Sequence, residues 1–290
     1  MNCPNSIFVN CLSTKFRYGK ITFPAADRYL CQTLAECGDY CRGEVIVYER
    51  LLSKGDLVVD VGANIGAMAL AFANAVGPAG SVRSFEASPF AFDLLRHNLD
   101  QNGVCNAAAT RAIVSSTSGT ARFVDPDVEK IDSLDFGSMS LSVNSERVPG
   151  RFVETQQVTL DGLALDQCNL IKIDVEGHEA AVVAGALDTI SKFTPFLSIE
   201  TGLEDDDLSW IYPLRELGYR IFILAYKVAA WPNFKGRNIS DLTTEVSVNA
   251  VCIPPTESHF DHLGDIPRRE VQTLDHLVAE CRRYRKRARY

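Results

Sequence analysis

LVVDVGANIG, Leu57 to Gly66, is an apolar strand that runs into a glycine turn, with an acid before the turn and an asparagine at its centre. The pattern that follows, GAMALAFANAV (66–76), is helical and apolar on nearly every face, so it suits only a buried position. A strand, a tight turn and a buried helix open a parallel α/β sheet whose ligand sits at the strand's carboxyl end. Gly62 and Gly66 allow the tight turn and close backbone approach. The spacing D-x-G-x-N-x-G departs from the dinucleotide fingerprint G-x-G-x-x-G, and the carboxylate of Asp60 would repel a pyrophosphate. No Gly-Lys-Ser/Thr follows, which excludes a P-loop. A cofactor with a cationic amino-acid end suits this turn better.

The second strand, SVRSFEA (81–87), carries Glu86 near its end, 24 residues after Gly62. An acid there is placed to accept hydrogen bonds from both ribose hydroxyls of an adenosine. An adenosine joined to an aminium points to S-adenosylmethionine, with Asp60 facing the methionine end and Ile113 of the third strand packing near the adenine. Ser88 and Pro89 read as the cap and first turn of a helix ending near Asn102 and Gly103. AAATRAIV (107–114), NLIKIDV (169–175), PFLSIET (195–201), YRIFIL (219–224) and VSVNAVCI (246–253) complete seven strands. Helices are expected at about 178–192 and 207–217. The fold expected is α/β, a Rossmann-like, seven-stranded, mostly parallel sheet with helices on both faces.

Residues 1–43 precede this alternation and read as an N-terminal cap, and 44–253 form the sheet domain. The insertion at 115–160 is too long for a plain connection. Within it GTARFVD and FVETQQVTL read as a hairpin, and Gly137, Ser138, Met139 and Ser140 are candidates to close over a substrate. Trp210, Tyr212 and Trp231 are candidates to stack on a sugar ring, core packing being the plainer role of each. Residues 254–290 read as a helical extension. There Val271, Leu274, Leu277, Val278 and Cys281 fall at helical spacing ahead of the basic tail RRYRKRARY. Such a helix packs on the body, pairs two copies in a homodimer, or meets an anionic surface.

Composition narrows the class. The chain has 290 residues, 46% hydrophobic and 23% charged, which is ordinary for a globular protein. No uninterrupted apolar run is long enough to span a bilayer, and no secretory signal opens the chain. A soluble, cytoplasmic protein is expected. A net charge of −8 argues against general nucleic-acid binding. The nine cysteines, odd in number, favour reduced thiols. Cys37 and Cys41 fall one turn apart if helical and, with Cys31, hint at a metal, although the paired CxxC spacing is missing.

A methyl group leaves a sulfonium readily, so the protein's task is to align the acceptor and take its proton. Asp174, Glu176, His178 and Glu179 follow the fourth strand, and Glu200 ends the fifth. Asp174, His178 and Glu200 are the catalytic candidates; His178 has the intrinsic pKa of a base at neutral pH. Alternatively Asp174, Glu176 and Glu200 hold a divalent cation such as Mg²⁺ that acidifies an acceptor hydroxyl. In the plainest account Glu176 and Glu179 stabilise a helix start and Glu200 bonds loop amides. Lys172 receives no role.

Five stretches in order, DVGANIG, FEASPFAFDLLRHNL, AIVSSTSGTARF, IKIDVEGHEAAVVAGA and PFLSIE, resemble FkbM-type methyltransferases. These are class I enzymes that use S-adenosylmethionine, many acting on hydroxyl groups of sugars or secondary metabolites. The resemblance covers about residues 45–225, and IDVEGHE is its most diagnostic piece. It implies a reversed last strand and cofactor roles for Gly62, Asn64, Gly66 and Glu86. Ala87 stands where the family often has proline, and Ser115 and Ser116 stand where an aspartate often follows the third strand. The second departure leaves the adenine contact open there. The activity expected is O-methylation of a hydroxyl on a sugar, glycan or small natural product. N- or carboxyl-methylation, and a non-catalytic protein that kept the fold, are the rivals.

Overall fold

The computed structural model describes residues 10–27, 30–126, 150–201, 207–229, 232–238, 246–255 and 269–273. Strands β1 (Cys11–Phe16) and β2 (Gly19–Pro24) pair antiparallel in a hairpin of their own. A segment of wide helical turns, Cys31–Cys37, leads to α1 (Arg42–Leu51). The alternating part runs β3 (Leu57–Val61), α2 (Ala67–Val76), β4 (Ser81–Glu86), α3 (Pro89–Gln101) and β5 (Ala107–Arg111). The insertion holds β6 (Ile113–Val114), β7 (Gly119–Pro126) and β8 (Gly150–Val158). Then come β9 (Leu170–Ile173), α4 (Glu179–Ala184), α5 (Leu187–Phe193), β10 (Phe196–Glu200) and α6 (Ile211–Glu216). Strands β11 (Arg220–Lys227), β12 (Val246–Ile253) and β13 (Arg269–Val271) follow.

The main sheet has the order β13-β11-β12-β10-β9-β3-β4-β5. From β10 to β5 every pairing is parallel, whereas β12 runs antiparallel to β10 and β11. The count is eight strands rather than the expected seven. The added strand, β13, pairs antiparallel with β11 and comes from the segment expected to be helical. Val271 is fully buried there, opposite Ile221, because an open sheet edge offers an apolar residue both backbone partners and cover. From residue 274 on, that expected helix lies outside the described residues, as do the basic tail, residues 137–140 and Trp231.

Alternation along the buried strands sorts the core into two faces. Leu57, Val59 and Val61 pack with Val182, Ile190 and Leu214 of α4, α5 and α6. Val58 turns to the other face, with Met68 and Phe72 of α2 and Val47 of α1. A third cluster joins Ile21, Phe23 and Leu34 of the N-terminal segment to Leu70, Leu94 and Leu95, so that segment roofs α2 and α3. Full burial of such side chains contributes roughly 1.5–3 kcal/mol each.

Three elements differ from the sequence reading. The third strand divides: Ala112 donates its amide to Glu86 O at 3.1 Å, and Ile113–Val114 then leaves the sheet to pair with β8. Strand β5 is a half-exposed edge, so the apolar Ala112–Val114 is buried only by turning towards the insertion. The helix expected at 178–192 breaks at Gly185, where a Cβ would stand 2.0 Å from the carbonyl oxygen of Ser115. A fresh start for α5 is supplied by Asp161, whose carboxylate accepts from the amides of Asp188 (3.2 Å) and Thr189 (2.8 Å). Finally, Cys37 ends the wide-turn segment and Cys41 precedes α1 with a φ of 44°, so the two share no helix face.

Candidate functional site

The turn after β3 is built from left-handed backbone. Gly62, Asn64 and Gly66 have φ values of 81°, 48° and 90°. At Gly62 no other residue fits, because a Cβ would lie 1.7 Å from the carbonyl oxygen of Asp174. The Gly62 and Ala63 amides donate to Phe85 O at 2.9 and 3.0 Å, fastening the turn to the end of β4. Asn98 of α3 donates to Ile65 O at 2.8 Å and exchanges two further bonds with the backbone of Thr22, which ties turn, helix and N-terminal hairpin together.

Glu86 closes this turn. Its Oε2 accepts from the Asn64 amide and its Oε1 from the Ser88 amide, both at 2.8 Å. Burial pushes its pKa up to about 6 despite those amide bonds. The Ala87 amide adds a further contact, and the carboxylate keeps acceptor capacity beside these amides for a donor such as a ribose hydroxyl. Ser88 caps α3 by accepting from the Ala91 amide at 3.3 Å, as the sequence predicted. Ile113 is buried yet joins none of the three apolar clusters, whereas its neighbours Ala112 and Val114 face the α4–α5 side.

Asp60 lies on the floor of the sheet with no exposure, and neither carboxylate oxygen has a hydrogen-bond partner. Burial pushes its pKa up to about 6, the nearby Lys172 ammonium opposing the rise and Asp174 adding to it. Strand register sets the neighbourhood: Ser84, Asp60, Lys172 and Ser198 stand side by side on four adjacent strands, all buried. Helix α1 adds Tyr48, whose hydroxyl bridges Glu44 and Ser198 Oγ, the latter at 2.8 Å. Burial raises the Glu44 pKa to about 7 even with Lys172 lowering it. One ammonium is therefore coupled to Asp174, Asp60 and Glu44.

Around the loop after β9, Lys172 Nζ donates to Asp174 Oδ2 at 2.7 Å. Burial pushes the Asp174 pKa up, but the Lys172 charge and hydrogen bonds from Glu200 and Lys172 together hold it below the usual carboxylate range. Glu200 goes the other way, well above its ordinary value, through burial and the anionic Asp174 to which it gives its proton. Oxygens of Asp174, Glu176 and Glu200 lie within 4.8 Å of one another. Glu179 serves the loop, accepting from the amides of Val175 (3.2 Å) and Gly177 (3.0 Å). His178 Nε2 is 3.0 Å from Ser115 Oγ, and burial lowers the imidazole's pKa, leaving it neutral at pH 7.

Asp60, Gly62, Asn64, Gly66 and Glu86 thus meet at the carboxyl ends of β3 and β4, while Asp174 and Glu200 meet beside them at β9 and β10. Trp210 is instead buried in the α4–α6 core, and Tyr212 is an exposed residue of α6. The sequence reading missed Glu44, Tyr48, Ser84 and Ser198 and gave Lys172 no role. A signal existed: each of the apolar strands LVVDV, SVRSFE, LIKI and FLSIE carries a polar residue at an inward position.

Comparison with known proteins identifies the family. The profile of the methyltransferase FkbM domain matches residues 60–221, more than half of the chain. The 31-O-demethyl-FK506 methyltransferase FkbM of Streptomyces tacrolimicus is 30% identical over 161 aligned residues, covering 47% of this chain and 62% of that protein. The hexuronic acid methyltransferase AglP of Haloferax volcanii is 28% identical over 173, covering 58% and 67%. Among solved structures, the methyltransferase FkbM of Methylobacillus flagellatus has 16% identity and a TM-score of 0.45, covering 69% of this chain and 44% of its own. Among the described residues no helix is long and apolar enough to cross a membrane. With its domain profile opening at Asp60 and running through the Glu86, Asp174 and Glu200 strand ends, the chain belongs to the FkbM family of S-adenosylmethionine-dependent methyltransferases.

Proposed function

We propose that the protein methylates a hydroxyl group on a sugar, glycan or small natural product. The observation that carries this reading is the pair of carboxylates at adjacent strand ends: Asp60 buried with no partner, and Glu86 held by two amides with lone pairs to spare. A buried, unpartnered carboxylate is costly, so it calls for a cationic or donating group. These residues fit S-adenosylmethionine, which supplies an electrophilic methyl group on sulfur when bound. Glu86 would hold the ribose diol, Asp60 the amino-acid end directly or through water, and the Gly62–Gly66 backbone would lie against the cofactor. Ile113 would pack near the adenine.

His178 is the base in this reading. Its imidazole is neutral at working pH and is held by Ser115, so it can accept the proton of an acceptor hydroxyl. Asp174 is held anionic by Lys172 and Glu200, which suits orienting an acceptor hydroxyl more than removing its proton. The curated relatives point to oxygen-rich acceptors: one is named for 31-O-demethyl-FK506, the other for hexuronic acid. The matched stretch spans 62% of the first relative's length. Titration calorimetry with S-adenosylmethionine tests the reading; a folded sample that takes up no cofactor at millimolar concentration overturns it.

A second reading gives Asp174, Glu176 and Glu200 to a divalent cation such as Mg²⁺, supported by their mutual spacing. Against it, Lys172 already brings a positive charge to Asp174. Activity that survives a chelator favours the first reading; activity lost to the chelator and restored by Mg²⁺ favours the second.

A further inference from the structure

Ser88 makes three hydrogen bonds where β4 becomes α3. Its amide donates to Glu86 Oε1 at 2.8 Å, its Oγ accepts from the Ala91 amide at 3.3 Å, and its hydroxyl donates to Asp125 Oδ1 at 3.0 Å. Asp125 is remote in sequence. It lies near the far end of β7, on the insertion hairpin, where it pairs in register with Arg151 of β8. Its carboxylate is buried, its second oxygen facing the Arg151 guanidinium at 3.4 Å. Ser88 is buried as well.

A hydroxyl has one proton to give. Because Ser88 gives it to Asp125, its rotor is fixed and its lone pairs remain for the helix cap. A carboxylate suits this place, since the amino end of the 13-residue α3 carries partial positive charge. With the side chain held on two sides, the Ser88 amide is held too, and that amide is one of the donors aiming Glu86. The insertion therefore reaches the Glu86 carboxylate through a single serine.

We propose that Asp125 is a positioning residue of the nucleoside site, acting through Ser88 on Glu86, so that the insertion hairpin takes part in cofactor binding. This rests on the reading that Glu86 holds the ribose of S-adenosylmethionine. The hairpin then has an electrostatic and geometric part in the nucleoside pocket, separate from any contact it makes with an acceptor.

The test uses the full chain and two unreactive probes in titration calorimetry: S-adenosylhomocysteine, and 5′-methylthioadenosine, which lacks the amino-acid end. Asp125→Ala is expected to weaken both probes by the same factor, about tenfold, the scale of one lost buried hydrogen bond to a charged group. Ser88→Ala, which cuts the same chain at its other end, should do likewise, and the double variant should be no weaker than the weaker single one. Asp60→Asn should weaken S-adenosylhomocysteine alone, which locates the Asp125 effect at the nucleoside. Folded Asp125→Ala or Ser88→Ala protein that binds 5′-methylthioadenosine with unchanged affinity overturns the proposal. Wild-type protein that binds neither probe overturns instead the cofactor reading beneath it.

Discussion

Lys172 and Asp174 share a hydrogen-bonded ion pair of 2.7 Å at the end of β9, the lysine side chain only 4% exposed and the aspartate 33%. The ammonium comes up through the floor of the sheet and meets the acid at the rim, so one cation serves the buried Asp60 and Glu44 beneath and Asp174 at the rim. Replacing Lys172 by methionine leaves Asp60, Glu44 and Asp174 without their common counter-charge. Removing one partner of a buried pair costs roughly 3–5 kcal/mol. Lys172→Met should lose about that much in urea-induced unfolding at pH 7.5, with a smaller loss at pH 5.5, where the carboxylates take up protons. An equal loss at both values would mean that the lysine acts through packing alone.

Glu86→Ala removes the acceptor for two turn amides and, with it, the proposed ribose contact. Affinity for S-adenosylmethionine should fall by a hundredfold or so, about 3 kcal/mol. Glu86→Gln, still able to accept hydrogen bonds, should lose less. Calorimetry that finds wild-type affinity in Glu86→Ala would show the ribose to be bound elsewhere.

His178 has a pKa held below its ordinary 6.5 by burial. If it takes the acceptor's proton, the rate at saturating cofactor should fall with acid only below about pH 6.5. His178→Ala should lose roughly 10²–10³-fold in kcat, the usual range for general-base loss, and regain part of it at pH 9. Full activity in that variant would hand the role to another group.

Glu44 is held neutral to a higher pH in the folded protein than in the unfolded chain, its pKa raised to about 7 by burial. A carboxyl raised by folding stabilises the protein fully below its unfolded pKa and loses that contribution as pH climbs through the folded one. Glu44→Gln mimics the protonated form and keeps a partner for Tyr48. The variant should match wild type at pH 5 and exceed it by about 1–2 kcal/mol at pH 8, read from denaturant midpoints. A difference that does not change with pH would disprove the assignment.

Gly62→Ala tests the turn itself. The φ of 81° and the 1.7 Å approach to the Asp174 carbonyl leave no place for a methyl group. A loss of about 3 kcal/mol or more, with cofactor binding abolished, is expected from thermal unfolding and calorimetry.

The local features of this site were legible because their causes are local. The left-handed glycines of the β3 turn and the Ser88 cap are written in adjacent residues, and Glu86 ends its strand as expected, although the amide it accepts from at Asn64 lies 22 residues away. What escaped reading depends on register between strands far apart in the chain. Alternation tells that Lys172 and Ser198 share a face with Asp60, but only the pairing of β3, β9 and β10 brings them into one row. The break at Gly185 and the fresh start at Leu187 come from Ser115 and Asp161, neither of which a helical periodicity can sense. The strand at Arg269–Val271 was misread because three residues on a sheet edge carry too little pattern to compete with a longer helical one.

The close approach of Gly62 to Asp174 welds the glycine turn and the acid loop into a single template, with no slack between strands β3 and β9. Such a template cannot be retuned by degrees, since any side chain added at the weld prises the two strands apart. If the proposed methyl transfer holds, divergence in the acceptor is written above the sheet, in the hairpin and the loops, while the platform below stays as it is.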